Sequence, residues 1–108
     1  MKNYIGELEE LVLLVVAVLG DDAYGITIKE EIERRASREM SMGGLHSTIT
    51  RLEEKGLLKS HMGGATQERG GRRKRYYELT PSGTASLQHI KKLRDELWNE
   101  SKVKLAWK

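Results

Sequence analysis

Residues 43–58 have the sequence GGLHSTITRLEEKGLL, the pattern of a short amphipathic helix that ends at a glycine. Leu45, Ile49 and Leu52 recur at spacings of three and four residues, so they share one face of such a helix. The opposite face is polar and carries His46, Ser47, Thr50, Arg51 and Glu54. One side of this helix is therefore predicted to pack in a core, while the other side meets solvent or a partner.

The ends of this helix carry residues that helix termini favour. Ser41 can serve as the N-cap, and Gly56 can adopt the left-handed conformation after the last turn. Two strand patterns follow, at 57–60 and 73–79, and a glycine-rich tip at 62–72 separates them. A small polar helix followed by a basic hairpin is the plan of a winged helix, in which the helix enters the DNA major groove.

Length and composition exclude several classes of protein. The chain of 108 residues has the length of one domain, with 19 Lys and Arg against 16 Asp and Glu. It contains no cysteine, which excludes a disulfide framework and a thiolate zinc site. The apolar run at 11–19 is too short to span a bilayer, and three glutamates precede it where a signal peptide would be basic. We therefore expect a soluble, cytoplasmic protein without a membrane segment.

Two helices are predicted before the polar helix. Residues 6–19, GELEELVLLVVAVL, are apolar on nearly all sides, so a second copy of the chain is expected to cover part of this helix. A central strand is the alternative, because valine is frequent here. A second helix is predicted at 23–36, with Asp21 or Asp22 as its cap and with Tyr24, Ile28 and Ile32 on one face.

Positive charge is concentrated in the hairpin. Within residues 69–75 there are five cations and no acid: Arg69, Arg72, Arg73, Lys74 and Arg75. On a wing beside a recognition helix, these side chains are predicted to contact DNA phosphates. The alternative is a solvated basic loop that touches nothing.

A long last helix is predicted from residue 81 towards the C-terminus, because Thr80 can cap it and Pro81 suits its first position. About 25 residues would span about 37 Å, which is more than so small a domain can cover. We therefore divide the chain into a winged-helix domain, 1–80, and a dimerisation helix, 81–108, that packs with the N-terminal helix. The predicted dimer interface comprises Leu8, Leu11, Val15, Leu87, Ile90, Leu93, Leu97 and Trp98.

Four motifs in order resemble the PadR family of bacterial winged-helix transcriptional regulators, in its short form with one C-terminal helix. They are GELEELVLL at 6–14, AYG at 23–25, RLEEKGLL at 51–58 and RYYELTPSG at 75–83. The resemblance implies a dimeric repressor that is interlocked through its first and last helices and binds an inverted-repeat operator. His46 and Ser47 stand where family members usually carry a tyrosine and then a proline. In some small relatives a tryptophan of the last helix lines a pocket for aromatic drugs, and Trp98 lies at a comparable place.

Each candidate site has a simpler interpretation. Arg51, Ser47 and Thr50 could contact bases or phosphates, but Arg51 could instead pair with Glu53 or Glu54. Trp98 could stack on a planar ligand or belong to an apolar interface. The chain's histidines, His46, His61 and His89, match no metal-ligand spacing.

The sequence therefore predicts a homodimeric, sequence-specific DNA-binding regulator, most simply a repressor, that a small aromatic ligand could release. No nucleophile motif or phosphate-binding loop supports an enzyme, and no cofactor is expected. Two other functions stay open. One is a protein-interaction module on a winged-helix scaffold that has lost specific DNA binding, and the other is a ligand-binding protein whose pocket holds Trp98.

Overall fold

The computed structural model of the chain describes residues 5–63 and 74–103, which form four α-helices and one two-stranded sheet. In chain order the elements are α1 (Glu7–Leu19), a 3₁₀ turn (Gly20–Asp22), α2 (Gly25–Ala36), α3 (Met42–Glu54), β1 (Leu58–Met62), β2 (Arg75–Leu79) and α4 (Pro81–Glu100). This order confirms the predicted winged-helix plan, and the first segment is a helix rather than a strand.

The start of α2 differs from the prediction. Asp21 and Asp22 lie in the 3₁₀ turn, which ends before α2 begins, and neither residue caps the helix. The N-cap position is Tyr24, whose backbone N–H donates to Thr27 Oγ1 at 3.0 Å. The Thr27 hydroxyl in turn donates to the Asp22 carbonyl oxygen at 2.6 Å. The hydroxyl of Thr27, inside the first turn, thus accepts from the backbone N–H at the N-cap position. The predicted aspartate cap is wrong.

The core is built from one apolar face of each of the first three helices, closed by the sheet. Its fully buried side chains include Val12, Leu13, Ile28, Ile32, Leu45, Ile49, Leu52 and Leu57. The predicted apolar face of α3 is therefore confirmed. Thr48 is buried on the same face, at 1% exposure, and its hydroxyl donates to the Gly44 carbonyl oxygen at 3.0 Å. This bond removes the cost of burying an unpaired hydroxyl.

The two strands pair antiparallel, with Leu58 opposite Leu79 and Met62 opposite Arg75. Both strands are five residues long. β1 ends at residue 62 rather than at the predicted 60, and β2 begins at residue 75 rather than at the predicted 73. The backbone N–H of Tyr77 donates to the Ala23 carbonyl oxygen at 2.9 Å, on the side of β2 away from β1. The hairpin base is thereby fixed to the segment that leads into α2.

A compact joint connects the end of α3 to the start of α4. Gly56 has a φ of +76°, as predicted for the residue that ends α3. Thr80 caps α4 by accepting from the Gly83 N–H at 2.9 Å, and its hydroxyl donates to the Gly56 carbonyl oxygen at 2.7 Å. Its own N–H donates to the Leu57 carbonyl oxygen at 3.1 Å. The predicted caps at Ser41 and Thr80 are both confirmed.

Helix α4 has 20 residues, fewer than the predicted 25, and spans about 30 Å. It packs against α1, and from residue 91 onward every described side chain is exposed in the single chain. Across the described residues, no helix combines the length and apolar character needed to cross a membrane.

Candidate nucleic-acid interface

The outward face of α3 carries the polar side chains that were predicted to meet DNA. His46, Ser47, Thr50 and Arg51 are all exposed, because the helical period places them opposite the buried Leu45, Ile49 and Leu52. Ser41 caps the helix by accepting from the Gly44 N–H at 2.9 Å. The structure thus brings the four predicted α3 residues together on one solvent-facing surface.

Arg51 has a partner that the sequence did not suggest. Its Nε donates to Glu9 Oε2 at 3.3 Å, across the boundary between α3 and α1, and its Nη2 donates to Thr48 Oγ1 at 3.3 Å. The alternative pairing with Glu53 or Glu54 within α3 is therefore wrong. The Arg51 side chain is still 53% exposed, so it lies at the edge of the outward face.

Glu9 is a buried carboxylate that joins the start of α1 to the end of α3. Its side chain is 7% exposed, and Oε1 accepts from the Gly6 N–H and from Lys55 Nζ, each at 2.8 Å. The sequence placed Glu9 at a helix start, where the helix dipole favours an acid. The structure confirms that Glu9 lies in the first turn of α1. It also shows ion pairs from Glu9 to Arg51 and to Lys55, so the buried charge is compensated.

Burial raises the pKa of Glu9, but hydrogen bonds from Lys55, the Gly6 backbone and Arg51 outweigh it and hold the pKa below its usual 4.5. A carboxyl with a depressed folded-state pKa stabilises the fold above its unfolded pKa, and this contribution is lost as the pH falls through the folded value.

We expect Glu9→Gln to remove this part of the acid sensitivity. The wild type should lose more stability than the variant between neutral pH and a pH well below 4.5. Urea denaturation at both pH values, followed by circular dichroism, measures the difference. Equal losses in the two proteins would contradict a depressed pKa at Glu9.

The base of the wing presents two of the predicted cations. Lys74 and Arg75 are exposed, and Lys74 Nζ lies 4.4 Å from the centroid of the Tyr24 ring. The Tyr24 ring meets the Tyr76 ring edge-on, with centroids 5.5 Å apart, and Arg75 Nη1 donates to Ser60 Oγ at 2.9 Å. The remaining predicted wing cations lie outside the described residues: Arg69, Arg72 and Arg73.

A second surface, on α1 and α4, is apolar. Its members are between 44% and 60% exposed in the single chain: Leu14, Val18, Leu93, Leu97 and Trp98. Four other residues of the predicted dimer interface are half-buried: Leu8, Leu11, Leu87 and Ile90. Val15 is only 3% exposed and belongs to the chain's own core, so its place in the predicted interface is wrong. Leu14 and Val18 of α1 face outward, although neither was among the predicted interface residues.

Trp98 lines a shallow, largely apolar pocket with Arg94, Leu97, Ser101 and Val103. The pocket lies near the end of α4, away from α3. His61 stacks near Tyr76, with ring centroids 5.8 Å apart, whereas His46 lies on α3 and His89 on α4. Within the described parts of the chain, no three His, Cys, Asp or Glu residues lie close enough to hold a metal ion.

Comparison with known proteins gives consistent matches over most of the chain. Residues 13–89 match the family described as the transcriptional regulator PadR-like family. The chain is 34% identical to the transcriptional regulator Rv3488 of Mycobacterium tuberculosis, over 74% of this chain and 70% of that protein. It is 32% identical to an uncharacterized protein of Lysinibacillus sphaericus, over 81% of this chain and 77% of that protein.

Solved structures give the same result. The chain is similar to a PadR-like transcription factor from Bacteroides fragilis, with a TM-score of 0.69, 27% identity, and coverage of 85% of this chain and 84% of that one. The family match begins within α1 and covers α2, α3, both strands and the start of α4, so it includes the outward polar face of α3. Leu93, Leu97 and Trp98 of the apolar surface lie beyond it. The protein belongs to the PadR-like family of transcriptional regulators, a family of regulators rather than enzymes.

Proposed function

We propose that the protein is a homodimeric repressor that binds an inverted-repeat DNA operator in a sequence-specific manner in the cytoplasm. The observation that carries the proposal is the outward polar face of α3, beside a wing whose base presents Lys74 and Arg75. In this arrangement Ser47 and Thr50 would meet base edges in the major groove, while His46 and Arg51 would meet bases or phosphates. Residues 1–80 would form the DNA-binding domain.

The wing would supply most of the electrostatic attraction. Helix α3 itself is nearly neutral, because Arg51 and Lys55 stand against Glu53 and Glu54. The predicted wing cations would contact backbone phosphates on either side of the recognition helix, which adds affinity without adding sequence information. In this arrangement the wing would provide affinity, and α3 would provide the sequence specificity.

The apolar surface of α1 and α4 supports the homodimer. Residues 81–108 would provide the dimerisation helix, which would cover Leu14 and Val18 of the partner's first helix or meet its counterpart. A two-fold dimer would place two recognition helices in successive major-groove faces, about 10 base pairs apart. A planar aromatic effector stacked on Trp98 would release the operator only if it bound the two arrangements of the dimer with unequal affinity.

Selection from a random pool of duplex DNA tests this function. We expect the purified protein to enrich an inverted repeat with half-sites about 10 base pairs apart. Thr50→Ala should change the preferred base at one position of each half-site, at a cost of roughly 1 kcal/mol for the lost contact. Thr84→Ala, the same substitution at an exposed position of α4, serves as the control and should select the wild-type sequence.

The outcome separates the alternatives. Retention of DNA without an enriched sequence would mean that the wing binds backbone and α3 reads little. Failure to retain any DNA would favour the protein-interaction module. An unchanged preference in Thr50→Ala would remove this residue from the readout.

A further inference from the structure

Two consecutive carboxylates of α1 connect it to two different helices. Glu9 accepts from Arg51 of α3 and from Lys55, which directly follows α3, whereas Glu10 Oε1 accepts from Arg94 Nη2 of α4 at 2.9 Å. Their environments differ as well, because the Glu9 side chain is 7% exposed and that of Glu10 is 18% exposed. The two positions therefore carry the same charge but act on different surfaces of the protein.

The contact between Glu9 and Arg51 fixes one edge of the guanidinium group. Nε is bound to Glu9 and Nη2 to Thr48, both at 3.3 Å, and Thr48 is itself held by its bond to the Gly44 carbonyl oxygen. Among the described residues, Nη1 has no protein partner, and the side chain is 53% exposed. Arg51 is thus held by two hydrogen bonds to protein side chains, while about half of its side chain stays exposed to solvent.

We propose that Glu9 is a positioning residue for DNA readout, which orients Arg51 from the protein side and thereby raises the preference for operator over random DNA. The inference rests on the proposed function and names a residue of α1 that touches no DNA. A guanidinium that is already oriented loses less side-chain entropy when it binds a base or phosphate of the operator. Contacts that match this orientation are therefore favoured over contacts that do not.

The same carboxylate also limits nonspecific attraction. Glu9 offsets the charge of Arg51 and Lys55 next to the DNA-binding face, so these cations add less to binding of any backbone that approaches. Loss of the carboxylate should therefore have two opposite effects. Random duplexes should bind more tightly, and the operator should lose its advantage over them.

The experiment compares Glu9→Gln with Glu10→Gln, which removes the same charge from the neighbouring position. Affinities for the selected operator and for a random duplex of equal length are measured over a series of salt concentrations. For Glu9→Gln we expect the ratio of the two affinities to fall about five-fold or more, and the salt dependence on random DNA to steepen by about one unit of slope. Glu10→Gln should leave both quantities at the wild-type value.

Arg51→Ala tests whether Glu9 acts through Arg51. This variant changes an exposed position, and it should lower the affinity ratio by a similar factor even if Glu9→Gln fails to fold. In the double variant, Glu9→Gln should lower the ratio no further, because its effect passes through Arg51. A simple loss of stability would not produce this non-additivity.

The outcomes are distinguishable. If the wild type selects no operator, both the proposed function and this inference are overturned. If the wild type selects an operator and Glu9→Gln retains its affinity ratio, only the role of Glu9 is overturned. Additive losses in the double variant would also overturn it, because Glu9 would then act independently of Arg51.

Discussion

Gly83→Ala is expected to destabilise the fold strongly. A β-carbon built on Gly83 would lie 2.2 Å from the Leu57 carbonyl oxygen, closer than any real contact of this kind. The obstacle is backbone in the joint between α3 and β1, so rotation of a side chain cannot relieve it. Alanine would otherwise gain about 0.5–1 kcal/mol over glycine inside a helix. We expect the clash to exceed this gain and to cost about 3 kcal/mol or more in the free energy of unfolding.

Urea denaturation followed by circular dichroism measures this loss. Ser82→Ala is the matched control, since Ser82 occupies the same turn of α4 but is exposed. Its free energy of unfolding should stay within about 0.5 kcal/mol of the wild-type value. If Gly83→Ala were as stable as Ser82→Ala, the close approach of α4 to Leu57 would not exist in solution.

Leu97→Asp is expected to convert the proposed dimer into monomers. Leu97 is 60% exposed in the single chain, beside Leu93 and Trp98. Burial of an aspartate there in each of two subunits would cost at least about 2 kcal/mol per carboxylate. A total of about 4 kcal/mol raises the dimer dissociation constant about a thousand-fold. Sedimentation velocity at micromolar concentration should then show a single monomeric species.

The control for Leu97→Asp is Asn99→Asp, which adds the same charge two residues further along α4. Asn99 is exposed and lies beside Lys92 and Glu96 on the polar side of the helix. This variant should sediment as the wild type does. A dimer that survived Leu97→Asp would show that the end of α4 is not the interface between subunits.

Much of the fold follows from local signals in the sequence. Ser41 and Thr80 cap their helices, and Gly56 ends α3 with a positive φ, as expected from residue type and position alone. The apolar face of α3 and the polar face opposite it follow from the helical period. These features depend on residues within one or two turns of each other, so a single stretch of sequence contains the information.

The contacts that were missed join residues far apart in the chain. Glu9 meets Arg51 and Lys55, which lie 42 and 46 residues later. One signal was present, because Glu9 precedes the fully buried Val12 and Leu13 by one helical turn and so falls on the buried side of α1. The choice of partner required the packing of α1 against α3. Val15 was misplaced for a related reason, since α1 is apolar on nearly all sides and spacing could not fix its rotation.

The joint at Leu57, Thr80 and Gly83 lies at one end of α4, so a small rotation at the joint would displace the other end of the helix much further. At the start of α4, the Thr80 N–H and hydroxyl donate to the carbonyl oxygens of Leu57 and Gly56, just after α3, while Trp98 lies about 22 Å from Gly83 along the helix. A rotation of about 5° at the joint would sweep Trp98 through about 2 Å while moving the residues beside the joint by a few tenths of an ångström. A displacement of the far end of α4, such as the proposed effector at Trp98 would cause, would therefore reach the residues beside α3 as a much smaller movement.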